Sequence, residues 1–300
     1  MKDAALHPVL RVLVHGHVLL VLGAVAQLWW ADRLFHFHSD PRLLGMVALA
    51  TFSAYGGMRL LRMRVPGLAT NAMMNWYRSN TLLLHVLVLV SGLAALVLAW
   101  PLRNLVFHAL WLPMVLVAGY TLPLAMTGGR PTGLRRTPFL KAVIIGFVWA
   151  SIVVLLPGAD ERNAVPYISD DVWWVAAIWT CYFTAIAITF DIRDLPHDLP
   201  SLRTMPQVLG IRGAQVLSIL LLLPLLLTLV LLLVAGYHPI EAGWREPRID
   251  LSILFPALGV VWTGVVIARA HTLRAWWYWD LLLDGSLTLL PLLAFAGGLR

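Results

Sequence analysis

An all-α integral membrane protein is the fold class that the sequence predicts, and three observations carry it. Of the 300 residues 60% are hydrophobic and only 12% are charged, a balance foreign to soluble globular domains and to disordered chains alike. The apolar residues gather into nine runs, each close to the roughly 20 residues that a helix needs to cross a bilayer. Tryptophan numbers 14, and most of these rings stand at the ends of runs, where amphipathic side chains settle at a membrane interface.

The runs span about 9 to 31, 42 to 61, 81 to 99, 102 to 122, 138 to 156, 172 to 190, 214 to 235, 251 to 269 and 280 to 297. Lys2 and Arg11 ahead of the first run, with Ala24-Val25-Ala26 near its end, have the layout of a signal peptide. Its length and the polar His15 and His17 predict a retained helix instead. Trp29 and Trp30 close that helix, Trp173 and Trp174 open the sixth, and Trp276, Trp277 and Trp279 precede the ninth. Trp149 and Trp179 fall in mid-run and are expected to line a lipid cavity. The outer loops at 157 to 171 and 236 to 250 carry Pro, Gly and mixed charge without repeats, so residues 1–300 read as a single transmembrane domain.

Nine crossings put the termini on opposite sides, and the basic residues choose between them. Lys2, Arg11, Arg59, Arg62, Arg64, Arg78, Arg130, Arg135, Arg136, Lys141, Arg193, Arg203, Arg212, Arg269 and Arg274 all fall on the N-terminal side, the majority of the 22 basic residues. The N-terminus is therefore expected in the cytoplasm and the C-terminus outside, in a membrane of the bacterial inner type. A net charge of +7 then expresses topology and contact with anionic headgroups. No basic segment alternates with aromatics in a soluble module, which excludes nucleic acid as a partner. The single Cys181, inside an apolar run, excludes an internal disulfide and a thiolate metal cluster.

One charged stretch departs from this pattern: "TFDIRDLPHDLPSLRTMPQVLG", Thr189 to Gly210. Asp191, Asp194 and Asp198 leave the sixth run on the expected cytoplasmic side. Offsets of three and seven bring the acids onto one helical face, although Pro196 interrupts the ladder and throws Asp198 into the loop. Carboxylates gathered this way stay ionised only with cations among them, and an all-oxygen donor set suits Mg²⁺, which bridges readily to substrate phosphate. A solvated helix end whose acids pair with Arg193 and Arg203 accounts for the same spacing.

The stretch "DIRDLPHDLPSLRTMPQVLGIRGA" resembles the second aspartate-rich motif of the UbiA superfamily of intramembrane prenyltransferases, D-x-x-D-x-x-x-D followed by a basic residue, Thr and an apolar run ending in Gly. "GYTLPLAMTGGRPTGLRRTPFLKAVIIGFVWAS", Gly119 to Ser151, is similar to that family's approach to helix five, and "WWYWDLLLDG", Trp276 to Gly285, to the start of its last helix. The resemblance implies nine transmembrane helices in a UbiA-like bundle around a lipid-accessible central cavity. It also implies transfer of a prenyl group from its diphosphate to a lipophilic acceptor, with two aspartate-rich motifs holding Mg²⁺ around the diphosphate.

The chain departs from the family at the first motif, N-D-x-x-D-x-x-x-D, because no Asp or Glu lies between Asp40 and Asp160. Aligned at the end of the second run, the Asn-Asp pair falls on Gly56-Gly57. A register on "NAMMNWYRS" keeps Asn71 and substitutes Ala72, Asn75 and Ser79 for the acids. The family's Y-x-x-x-K after helix four appears as "YTLPL", with Tyr120 retained and Leu124 in place of the lysine. Arg59, Arg62 and Arg64 stand where the acids would be, with Arg78 just before the third run, and Arg59 and Arg62 share a helical face. Arginine forks bind phosphate or carboxylate directly; snorkelling anchors at a helix end are the plainer reading.

Two functions follow. In a transferase with a degenerate diphosphate clamp, Asp191, Asp194 and Asp198 are the catalytic ligands of one Mg²⁺. Arg59, Arg62, Arg78, Lys141 and Arg203 then grip the prenyl diphosphate, and Tyr120 lines the cavity. In the alternative, a non-catalytic UbiA-like protein binds an isoprenoid, a quinone or a phospholipid, or serves as a subunit of a larger membrane complex. A CDP-alcohol phosphotransferase would need D-G-x-x-A-R, whereas Asp284-Gly285 continues as "SLTLL". A transporter would need broken helices and midplane charges that the runs do not display. Asp280 and Asp284 read as a structural pair near Arg269 or Arg274. His85 and His108 are expected to be buried and hydrogen-bonded to neighbours, with pairing across helices three and four as the alternative, and no redox cofactor is expected.

Overall fold

The computed structural model describes residues 8–37, 39–63, 72–121, 125–127, 130–132, 139–159, 169–196, 203–235, 237–238, 243–244 and 250–299. Helices dominate it. The expected first helix is two, α1 (Pro8–His15) and α2 (Val18–Leu34), broken at Gly16 and at His17, whose backbone is left-handed (φ 57°, ψ 19°). α3 (Arg42–Arg62) begins where the Asp40 carboxylate accepts from the Arg42 N–H at 2.8 Å and satisfies one of the orphan donors of the first turn. A short α4 (Ala72–Ser79) lies outside the nine runs. α5 (Thr81–Ala99) and α6 (Arg103–Thr121) meet through a 3₁₀ turn at Trp100–Leu102.

α7 (Leu140–Ala150) continues through a π turn, Ser151–Leu155, into α8 (Leu156–Gly158). α9 (Asp170–Asp194), α10 (Met205–Val234) and α11 (Leu251–Ala268) follow, and a second π turn, Tyr278–Leu283, leads into α12 (Asp284–Ala296). Two small antiparallel hairpins join the helices, β1 (Ala125–Thr127) with β2 (Arg130–Thr132) and β3 (Tyr237–His238) with β4 (Gly243–Trp244).

Among the described residues, seven helical stretches are long and apolar enough to cross a membrane: Arg42–Leu61, Thr81–Gly119, Leu140–Gly158, Asp170–Asp194, Met205–Val234, Leu251–Ala268 and Tyr278–Ala296. Two local features separate this count from the nine apolar runs. The break at Gly16-His17 leaves α2 with 17 residues, and the 3₁₀ turn lets α5 and α6 read on as one stretch of 39 residues.

Packing runs around a ring in which α9 meets α10, α10 meets α11, α11 meets α12, and α12 meets α2. The π turn after α7 touches both α2 and α9 and closes the ring, while α3 and then α5 stack outward from α2. Trp30, Trp179 and Tyr182 are buried at the centre. Gln27 of α2 holds the ring together by polar bonds, its amide donating to the Leu287 carbonyl at 2.7 Å and its oxygen accepting from Trp179 Nε1 at 3.4 Å. α7 and α9 approach closely because Gly146 presents bare backbone; a Cβ there would lie 2.7 Å from the Thr180 carbonyl.

Candidate functional site

A pocket of about 250 Å³ opens among α2, α3, α7, α9 and the segment leading into α12. Its charged groups come from one end of each contributing helix: the C-terminal ends of α3 (Arg59) and α9 (Asp191, Arg193, Asp194), and the N-terminal ends of α7 (Lys141) and α12 (Asp284). Helices that alternate in direction therefore deliver their polar ends to one place.

The pocket divides chemically. One part carries Arg59, Lys141 and Arg193 beside Asp191, Asp194, Asp280 and Asp284; the other is apolar and aromatic, walled by Leu20, Trp149, Phe183 and Ile186. Within the charged part, Lys141 Nζ donates to Asp191 Oδ1 at 2.5 Å. Arg193 grips its neighbour Asp194 with Nε at 2.8 Å and Nη2 at 3.4 Å, and its Nη1 lies 3.9 Å from Asp280. The same guanidinium stacks on Phe190, 4.7 Å from the ring centre, so one arginine is held on three sides. Burial explains why: Asp191 is only 3% exposed, and a charge removed from water persists where hydrogen-bonded partners compensate it.

Several residues expected from the sequence come together here. Asp191, Asp194, Arg59 and Lys141 share the pocket, and Trp149 lines it as expected. Trp179 does not, being buried against Trp30 and Gln27. Arg78 on α4 and Arg203 ahead of α10 are exposed and stand outside the lining. Arg62 and Tyr120 lie in the last turns of α3 and α6, and their side chains are outside the described residues, as are Asp198, Arg64 and Leu124 altogether.

Two expectations need correction. Asp280 finds Arg193, not Arg269 or Arg274, because the π turn aims it inward, while Arg274 bonds the Arg269 carbonyl at 2.9 Å and stacks on Tyr278. His85 and His108 bond to neighbours as expected, each Nδ1 lying 2.7 Å from a carbonyl one turn back, of Thr81 and Asn104, but neither is buried. The glycines at the first-motif position also acquire a reason. Gly56 packs against α5, where an added Cβ would lie 2.7 Å from Val88 Cγ2, so this position serves helix packing.

His17, Tyr55, Arg193, Asp280 and Asp284 are the lining residues that the sequence reading passed over as site residues. Tyr55 and Arg59 are four apart on one helical face, and Asp280 and Asp284 share that spacing on an otherwise apolar helix. Both signals were available, since ionisable residues within membrane spans mark functional sites by default.

Asp191 and Asp194 are already hydrogen-bonded by Lys141 and Arg193, and among the described residues no group of three His, Cys, Asp or Glu side chains converges as metal ligands. No family model, curated protein or solved structure matches the chain.

Proposed function

We propose that the protein is a UbiA-like, nine-span membrane protein whose pocket binds the head of a neutral isoprenoid lipid, with the retained aspartates serving as partners of Lys141 and Arg193. The ion pairs carry this reading. Among the described residues three cationic and four carboxyl side chains line the charged part, so a diphosphate entering without metal would bring several negative charges against those carboxyls and compete for cations that Asp191 and Asp194 already hold. A head without net charge meets no such repulsion, and its chain continues along the apolar walls. At about 250 Å³ the pocket is smaller than a typical drug-sized site, a volume suited to a head group and the first part of its chain.

Parity supports nine spans and the orientation. α3 ends and α7 begins at the same pocket, so the intervening chain crosses an even number of times. The 39-residue stretch Thr81–Gly119, about 58 Å long as a helix, then counts as two spans turning at Trp100–Leu102. The pocket end is the one that the basic residues assign to the cytoplasm, which leaves the N-terminus inside and the C-terminus outside, in an inner membrane of the bacterial type. Transfer chemistry with Mg²⁺ on Asp191, Asp194 and Asp198 is the competing outcome.

A photoactivatable, diazirine-bearing geranylgeraniol tests the reading. Cross-links on the peptides that carry Lys141 to Trp149 and Phe183 to Asp194, competed away by unmodified geranylgeraniol, are expected. Labelling confined to the outer faces of α5 and α6 would reject it.

A further inference from the structure

His17 is the least explained residue of the pocket. Its ring is 8% exposed, and its Nε2 is buried without a hydrogen-bond partner among the described residues. Buried polar nitrogens are almost always satisfied, so an orphan that lines a cavity points to a ligand atom. The backbone adds a second sign: His17 holds a left-handed conformation in the break between α1 and α2, a strained state that persists where its surroundings enforce it and that clusters at ligand sites.

Tyr55 stands beside it, ring centres 5.9 Å apart. Its hydroxyl accepts from Trp149 Nε1 at 3.2 Å, and among the described residues no acceptor takes its own proton. With its proton on Nε2, His17 offers one donor at the aromatic part of the pocket, and the Tyr55 O–H offers a second. Trp149 and Phe183 form a wall there, 5.5 Å apart and inclined by 35°.

We propose that His17 and Tyr55 form a subsite that hydrogen-bonds the ring oxygen of an isoprenoid quinone, with the ring against Trp149 and Phe183. This rests on the neutral-lipid reading and names the class of head that the lipid carries. A quinone is planar and uncharged and presents carbonyl oxygens that only accept, which suits two donors that line one pocket. An isoprenoid alcohol supplies one hydroxyl and no planar surface, and leaves the aromatic wall unused.

The experiment uses the full-length protein in mild detergent and measures equilibrium binding of two probes with the same chain, a geranyl-substituted benzoquinone and geraniol. Parent, His17→Phe and Tyr55→Phe are compared. The quinone is expected to bind more tightly than geraniol, and each substitution to weaken the quinone about fivefold to tenfold while changing geraniol less than twofold. Tyr55→Phe keeps the ring and its packing, so it answers even where His17→Phe fails to fold. Equal affinities for the two probes, or equal losses on substitution, overturn the quinone subsite and leave the lipid reading intact. Binding of neither probe overturns both.

Discussion

Lys141 Nζ lies 2.5 Å from Asp191 Oδ1, across 50 residues of sequence, and ties the start of α7 to the end of α9. The pair is asymmetric: the lysine side chain is 34% exposed and the aspartate 4%. Removing the lysine takes a charged partner from a buried carboxylate, whereas removing the acid leaves an ammonium that reaches the pocket mouth. Lys141→Met should therefore lower stability by about 2 kcal/mol, discounted for the exposure of the lysine, and Asp191→Asn by less. Thermal unfolding in detergent measures both, and the double variant should recover part of the larger loss.

Gly146 and Gly285 should respond oppositely to alanine. At Gly146 the new Cβ meets the Thr180 carbonyl at 2.7 Å and the Thr184 nitrogen at 2.8 Å, whereas nothing lies within 4 Å of one at Gly285. Gly146→Ala forces α7 from α9 and should cost about 1–3 kcal/mol. Gly285→Ala should be neutral or stabilising by up to about 1 kcal/mol through helix propensity. The two thermal midpoints, measured side by side, check the contrast.

Gln27→Leu tests the polar tie between α2, α9 and α12. It removes the donor to the Leu287 carbonyl and the acceptor of Trp179 Nε1, leaving a buried N–H unsatisfied. The expected loss is about 1–3 kcal/mol, with Gln27→Glu also destabilised because a carboxylate offers no donor. An unchanged midpoint for Gln27→Leu would show that the tie is dispensable.

The turn between α5 and α6 separates nine spans from a smaller number. With Cys181→Ala removing the single cysteine, Arg103→Cys should react from outside with a membrane-impermeant maleimide. Protection from outside with labelling from the cytoplasmic face would contradict the proposed topology.

Much of the fold was legible because apolar runs report span length directly: the sequence-predicted 81 to 99 coincides with α5, and 251 to 269 ends one residue past α11. Sequence was silent where local geometry decides. Period and length do not show the left-handed break at His17, nor the π turn that carries Asp280 inward to Arg193. At the site, Asp191 and Asp194, three apart in the sequence, both line the pocket. Their partners came from elsewhere in the chain for Asp191, and from the adjacent Arg193, already in view as a pairing candidate, for Asp194.

The central claim is that the pocket takes a neutral isoprenoid head. The most direct measurement is equilibrium binding of geranylgeraniol and of geranylgeranyl diphosphate, each with and without Mg²⁺, to the parent and to Asp191→Ala with Asp194→Ala. Geranylgeraniol is expected to bind independently of Mg²⁺ and at least tenfold more tightly than the diphosphate. Mg²⁺-dependent binding of the diphosphate, abolished by the double substitution, would contradict it and establish a working diphosphate clamp.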